Sequence, residues 1–385
     1  MPMPARPYNA GVTATTPATP AIDRARVLDT FLDLVRTDSP SGQEDTVAQK
    51  LLAALGELGI EAHRDAAGNV IAQRAGRGSG ANWAPLLLCA HMDTVQPGYG
   101  IDPQERDGVI RSNGATILGA DDKAGIAAIL EALRLTHESG QDARPVDVVF
   151  TVEEETGLAG SKALDVSALH ARQAVVLDSN GPVGTIIHRA PAQNSFQVAI
   201  TGKAAHAGVA PETGVSAIVA AARAIATMRL GRIDEETTAN VGVISGGTAT
   251  NVVPERVEVK GEARSRSATK LAEQTRHMVE TFERGARELG AVAEVTVTPS
   301  YGAIDVDPAS PLIALVSRAM RSCGVEPRLG ATGGGSDANV FNAAGIPAIN
   351  LGVGYTKPHS VDEQIAVADL LRAAEVVHAI LTLPD

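Results

Sequence analysis

The sequence predicts an α/β protein with a second, α+β domain set into it. Two observations carry this. From residue 60 to 178, short apolar runs alternate with helical stripes, the pattern of a largely parallel sheet wound with helices. Between 195 and 298 the order becomes strand–helix–strand–strand–helix–strand, the ferredoxin-like order, and the first pattern then returns. The first domain is therefore discontinuous, 21–189 with 303–385. The insert, 190–302, holds roughly 110 residues, an ordinary domain size.

In the first domain, Val27, Leu28, Phe31, Leu32 and Val35 make a helical stripe between Ala21 and Arg36. Asp38-Ser39-Pro40-Ser41-Gly42 breaks it. Ser41 and Glu44 have capping-box spacing ahead of a helix from Val47 to Leu58, which Gly59 ends. Residues 60–64, 69–74 and 85–90 read as strands, and Asp107-Gly108 is a hairpin signal within 104–112. A helix is expected from Ala124 to His137, strands near 146–152 and 174–178, and a short helical piece at 159–165. In the insert, Ser195–Gly202, Ala239–Ser245, Arg256–Arg264 and Val292–Thr298 are the strands. Val215–Met228 is an Ala-rich helix, and Ala268–Leu289 a long one ended by Gly290. The chain closes with a helix from Pro311 to Cys323, a strand from Pro347 to Leu351 and a helix from Val367 to Leu381.

Composition narrows the function. The 385 residues allow a sizeable core, and with only 3% aromatics that core must be Ala, Val, Leu and Ile. A net charge of −12 without a basic cluster argues against nucleic acid. The two cysteines, Cys89 and Cys323, cannot make a disulfide framework, which suits a reducing cytoplasm. No apolar run approaches ~18 residues, so no membrane span is expected. Residues 1–20, rich in Pro, Ala and Thr and without a signal-peptide apolar segment, read as a disordered or loosely docked tail.

The chemistry gathers around Gly119-Ala120-Asp121-Asp122-Lys123-Ala124-Gly125. Two adjacent carboxylates among small residues, just before a helical run, would by themselves suit an N-cap. They have company. His91-Met92-Asp93 follows the apolar run Leu86–Cys89, Glu153-Glu154-Glu155-Thr156-Gly157 follows Val148–Phe150, and Asp178 follows Ala174–Leu177. His359 stands in Lys357-Pro358-His359-Ser360. Acids and histidines at the ends of apolar runs are how a sheet offers ligands from the carboxyl ends of its strands. His91 and Asp93, two apart, would share a strand face, and a ligating His needs its second ring nitrogen held, usually by a carboxylate.

On these residues the chain resembles the co-catalytic zinc peptidases that include carboxypeptidase G, aminoacylase and peptidase T, and it looks most like the peptidase T-like branch. The motifs run in family order from about residue 22 to the end. The resemblance implies a zinc-exopeptidase-like three-layer catalytic domain and an inserted domain that mediates dimerisation. It implies two divalent metals bridged by Asp121, one also held by His91 and Asp178 and the other by Glu155 and His359. Nitrogen and oxygen ligands suit Zn²⁺, and Co²⁺ or Mn²⁺ fit nearly as well. Glu154, the first of the pair before Thr-Gly, corresponds to the general base, which leaves Glu153 as an extra acid. Asp93 could hold the second ring nitrogen of His91, or could simply cap. His206, in Lys203-Ala204-Ala205-His206-Ala207-Gly208, matches the histidine that reaches a neighbouring subunit's active site and steadies the oxyanion. Asn251 resembles a polar substrate contact. Arg264 could grip a substrate carboxylate through its fork, although a strand-end arginine often just pairs with an acid. The resemblance also implies a cis peptide between Asp121 and Asp122.

Gly333, in Thr332-Gly333-Gly334-Gly335-Ser336-Asp337, stands where tripeptidases of the family carry an arginine, so the implied substrate is a peptide or an N-acyl amino-acid amide. The expected activity is that of a dinuclear-metal exopeptidase. An N-acyl amino-acid deacylase is the alternative within the same chemistry. An inactive metal-bound scaffold would lack Glu154 or a ligand, and none is missing.

Overall fold

The computed structural model describes residues 21–385, so the tail expected at 1–20 lies outside the described residues. Among the described residues, nine strands form the main sheet. At its centre Val146–Thr151, Leu86–His91, Ala174–Ser179 and Ala348–Gly352 lie side by side and parallel. The flanks are mixed. Val70–Arg74 and Ala62–Arg64 add antiparallel on one side. On the other, Thr185–Ala190 runs antiparallel to Ala348–Gly352 and pairs with Arg328–Ala331 and Ile304–Asp305. Leu86–His91 and Val146–Thr151 are buried at every position. Near-continuous apolar runs are what a strand covered on both faces needs, and buried Asp147 is satisfied by the amides of His170 and Ala171.

The helix Ala120–Ser139 is buried along almost its whole length, between the sheet and the closing helix Val367–Thr382. Its small residues permit this. A side chain at Gly125 would come within 2.6 Å of the Leu177 carbonyl oxygen, so the helix lies directly on the strand Ala174–Ser179. Ahead of the helix, Gly119 takes the left-handed conformation, φ 72°, which glycine adopts at little cost. Asp121 and Asp122 are not helical, and the bond between them is cis, as the resemblance implied.

The insert has a hydrophobic core of its own, around Phe196, Val198, Ile200, Met278 and Phe282. Its main strands lie in the order Thr237–Gly246, Arg256–Ser265, Ala192–Thr201 and Val292–Tyr301, all antiparallel. The helices Ala217–Thr227 and Ala268–Arg287 pack together against these strands. The expected hairpin forms between Gln104–Arg106 and Val109–Arg111, with positive φ at both Asp107 and Gly108.

Three local readings change. The capping box of Ser41 and Glu44 does not form: the helix Asp45–Glu57 starts without a side-chain cap. Ser41 Oγ donates instead to Asp93 Oδ2 at 2.6 Å, and Glu44 Oε1 accepts from the amides of Gly42 and Glu153 at 2.8 and 3.1 Å. Thr185–Ala190 is a strand that the alternation of the first domain did not announce. Asp337–Ala343 is a short helix, and the capping box here belongs to Ser336 and Asn339.

Candidate metal centre

The ends of the central strands bring five residues together at one edge of the sheet. His91 ends Leu86–His91, and Asp178 lies at the end of Ala174–Ser179. Glu155 follows Val146–Thr151, Asp121 stands at the kinked helix start, and His359 follows the short strand Tyr355–Thr356. Asp121 Oδ1 lies 3.2 Å from His91 Nε2, and Asp121 Oδ2 lies 3.3 Å from His359 Nε2. Asp178 Oδ1 is 3.8 Å from His91 Nε2, and Glu155 Oε1 is 2.9 Å from His359 Nε2. Ligand atoms of His91, Asp121 and Glu155 all lie within 4.8 Å of one another, and so do those of His91, Asp122 and Asp178.

A surrounding layer fixes these groups. Asp93, fully buried, meets His91 Nδ1 with its backbone carbonyl oxygen at 3.0 Å and its carboxylate Oδ1 at 3.3 Å, and that carboxylate accepts the backbone amides of Glu154 and Glu155 at 3.0 and 3.2 Å. One residue thus orients an imidazole and the loop that carries the glutamates. Asn350 Oδ1 accepts the Asp178 amide at 2.8 Å. Asp122 turns back to its own helix, accepting from Gly125 and, from the neighbouring strand, the His91 amide. Two contributors were not found in the sequence. Buried Glu363 accepts the amides of Leu118, Gly119 and Asp121 at 2.8, 2.8 and 2.9 Å, holding the whole Asp121 turn. Tyr355 directs its hydroxyl at Asp121 Oδ1, 3.0 Å, and at Asp178 Oδ1, 3.3 Å.

The site carries more negative charge than its own side chains neutralise. Burial, with the neighbouring carboxylates Asp121 and Glu155, pushes Asp178 well above the usual carboxylate range. Burial and Asp178 do the same to Glu154, with Asp337 and Glu155 adding to the push. Burial alone would lower the His91 imidazolium, but Asp121 and Asp93 reverse that and raise it. Hydrogen bonds to Asp121 and Glu155 raise His359 to about 10. These four raised groups all hold protons against the acidic surroundings, while hydrogen bonds from the two imidazoles keep Asp121 below the usual carboxylate range despite its burial. Soft-to-borderline imidazole nitrogens beside carboxylates, in such a field, fit divalent cations.

A cleft of about 200 Å³ opens over this edge, with Glu154 on its wall and Ile187, Ile304 and Thr332 among its lining. Glu154 is buried and Glu153 half-buried, its backbone at φ 50°. His206 and Asn251 do not line this cleft: both are exposed on the insert, where Asn251 O accepts the Ala207 amide beside His206. His206 Nδ1 accepts two backbone amides, from Gly208 and Val209, at 3.2 Å each. Arg264 gives its fork to Glu262 at 2.8 and 2.9 Å.

Comparison with known proteins identifies the chain. The sequence model of Peptidase family M20/M25/M40 matches residues 87–383. The chain belongs to this family. It is 40% identical over 368 residues to the uncharacterized protein YqjE of Bacillus subtilis (strain 168), covering 94% of this chain and 98% of that one. Peptidase T of Escherichia fergusonii is 30% identical over 279 residues, 71% of this chain and 68% of the relative. The crystal structure of aminopeptidase PepT from Bacillus cereus ATCC 10987 is 42% identical with a TM-score of 0.85. That of a tripeptidase from Staphylococcus aureus subsp. aureus mu50 is 39% identical with a TM-score of 0.88. Each covers 94% of this chain and 98% of its own. This M20 chain is therefore a peptidase of the peptidase T-like branch, with the α/β fold and inserted domain of its structural neighbours. Among the described residues no helix is long and apolar enough to cross a membrane.

Proposed function

We propose that the protein is a dinuclear-metal aminopeptidase of short peptides, with Glu154 as general base. One observation carries the two-metal reading: the two oxygens of a single carboxylate, Asp121, are divided between two imidazoles, Oδ1 toward His91 and Oδ2 toward His359. In this reading His91, Asp178 and Asp121 hold one cation, and Glu155, His359 and Asp121 the other. Zinc suits the donors, with cobalt and manganese close behind. Cations held there would supply Lewis acidity toward a water and the scissile carbonyl. The chain does the rest. Glu154, on the cleft wall beside Glu155, would be ionised once cations offset the neighbouring carboxylates that push its pKa up, and its carboxylate would then take the water's proton and return it to the leaving amine. Asp93 keeps His91 turned so that Nε2 faces Asp121.

The test is a library of di- and tripeptides and N-acyl amino acids, assayed with Zn²⁺, Co²⁺ or Mn²⁺. Peptides with a free amino terminus should be cleaved, a chelator should abolish cleavage, and added metal should restore it. Turnover confined to N-acyl amino acids would assign the deacylase alternative. Glu363→Ala checks the support of the bridging carboxylate. It leaves three buried amides without an acceptor, and lost support of this kind typically costs about 10–100-fold in metal affinity. Metal titration of the folded variant should show that loss.

The second subunit is part of the reading. With Nδ1 accepting from two amides, a neutral His206 carries its proton on Nε2, where it is a donor for an oxyanion. Because His206 and Asn251 stand off this protomer's own cleft, they are assigned to a partner's. The strand Thr237–Gly246 offers the surface: Gly231–Arg232 pairs outside it only at Thr238 and Ala239, and farther along Val243 and Ile244 are 54% and 52% exposed, with Ile218 of the helix Ala217–Thr227 41% exposed. The open remainder of such an edge, with apolar side chains, pairs readily with a second copy. Val243→Lys with Ile244→Lys should give a folded, inactive monomer in sedimentation and peptide assays. A fully active monomer would remove His206 from the mechanism.

A further inference from the structure

Away from the cleft, a second cavity of about 380 Å³ lies against the opposite edge of the main sheet. Arg74 and Arg77 line it, with His137 and Thr136 at the end of the long helix and Leu58 and Ile60 beside them. Arg74 ends the strand Val70–Arg74 and pairs with Val146, the first residue of the strand whose far end leads to the glutamates. About 17 Å of strand, at ~3.3 Å per residue, therefore separates this cavity from the metal centre.

The two arginines differ in what they hold. Arg77 gives its guanidinium to the carbonyl oxygens of Thr136 and Gln141, at 2.6 Å each, and so satisfies the end of the helix Ala120–Ser139. Arg74 holds nothing comparable. Arg74 is half-buried, and among the described residues its enclosed Nη2 has no hydrogen-bond partner and no acid pairs with it. Burial, with Arg77 adding its like charge, lowers its pKa to about 10. A guanidinium taken out of water with no counterion is costly, and its planar fork matches an oxyanion.

We propose that this cavity binds a phosphate-sized oxyanion, gripped by Arg74 and supported by the charge of Arg77. The anion supplies the acceptor that Arg74 lacks, and the cavity leaves room for a small organic group attached to it.

The test is calorimetric titration of the metal-loaded protein with inorganic phosphate in a chloride buffer. Saturable binding is expected in the wild type and should weaken at least about tenfold in Arg74→Gln, the loss of one charge-assisted grip. Without phosphate, Arg74→Gln should keep full peptidase activity and melt no lower than the wild type, because it removes an unpaired cation. Should that variant fail to fold, Arg74→Lys keeps the charge and loses the fork, and weaker binding is again expected. Phosphate held by the catalytic metals would bind these variants and the wild type alike. That equality, or the absence of saturable binding, would overturn the proposal.

Discussion

Glu154→Gln should lower kcat by about 10²–10⁴ while both cations stay bound, because a placed proton acceptor contributes that much. The glutamine keeps the shape and a hydrogen bond but removes the base, so the loss should fall on kcat and spare substrate binding. Two neighbours make the result specific. Glu155, whose Oε1 lies 2.9 Å from His359 Nε2, is assigned to a cation, so Glu155→Gln should lose metal as well as turnover. Glu153 is half-buried, points its amide at Glu44 and does not line the cleft, so Glu153→Gln should be nearly silent. Steady-state kinetics beside metal analysis separates the three. A normal kcat for Glu154→Gln with a lost kcat for Glu153→Gln would shift the roles of the glutamates by one residue.

Asp121→Ala should have the larger effect on metal content. Its two oxygens face different imidazoles, at 3.2 and 3.3 Å, and its Oδ1 also accepts the Tyr355 hydroxyl. Removing it takes a ligand from both proposed positions at once. Metal retained after gel filtration should fall from about two ions per chain, the number a two-metal hydrolase holds, to near none. Asp178→Ala and His359→Ala each touch one position and should each retain about one ion. Activity should vanish in all three, so metal content rather than rate distinguishes them. Equal loss from all three variants would mean that Asp121 does not bridge.

Much of this site was legible because its chemistry is local to strand ends. His91, Glu155 and Asp178 each follow a run that packs into a covered sheet, and the carboxyl ends of parallel strands meet at one edge. What escaped was held by partners far away in the chain. Ser41 has the spacing of a cap, but Asp93, 52 residues on, takes its hydroxyl. Glu363 reads as one more acid near a helix, since its amide partners lie at least 242 residues upstream. Tyr355 looks like a core aromatic, and its body is one; only its hydroxyl reaches the site. Thr185–Ala190 hid for a different reason. With His188 and Arg189 in six residues and only part of its length buried, it lacks the apolar run that marked the central strands.

The most direct test of the account is a crystal structure of the zinc-loaded protein with anomalous scattering measured at the zinc edge. The account predicts two peaks about 3.5–4 Å apart. One should lie ~2.0–2.2 Å from His91, Asp178 and Asp121, and the other from His359, Glu155 and Asp121. A single peak, or two peaks that do not share Asp121, would contradict it.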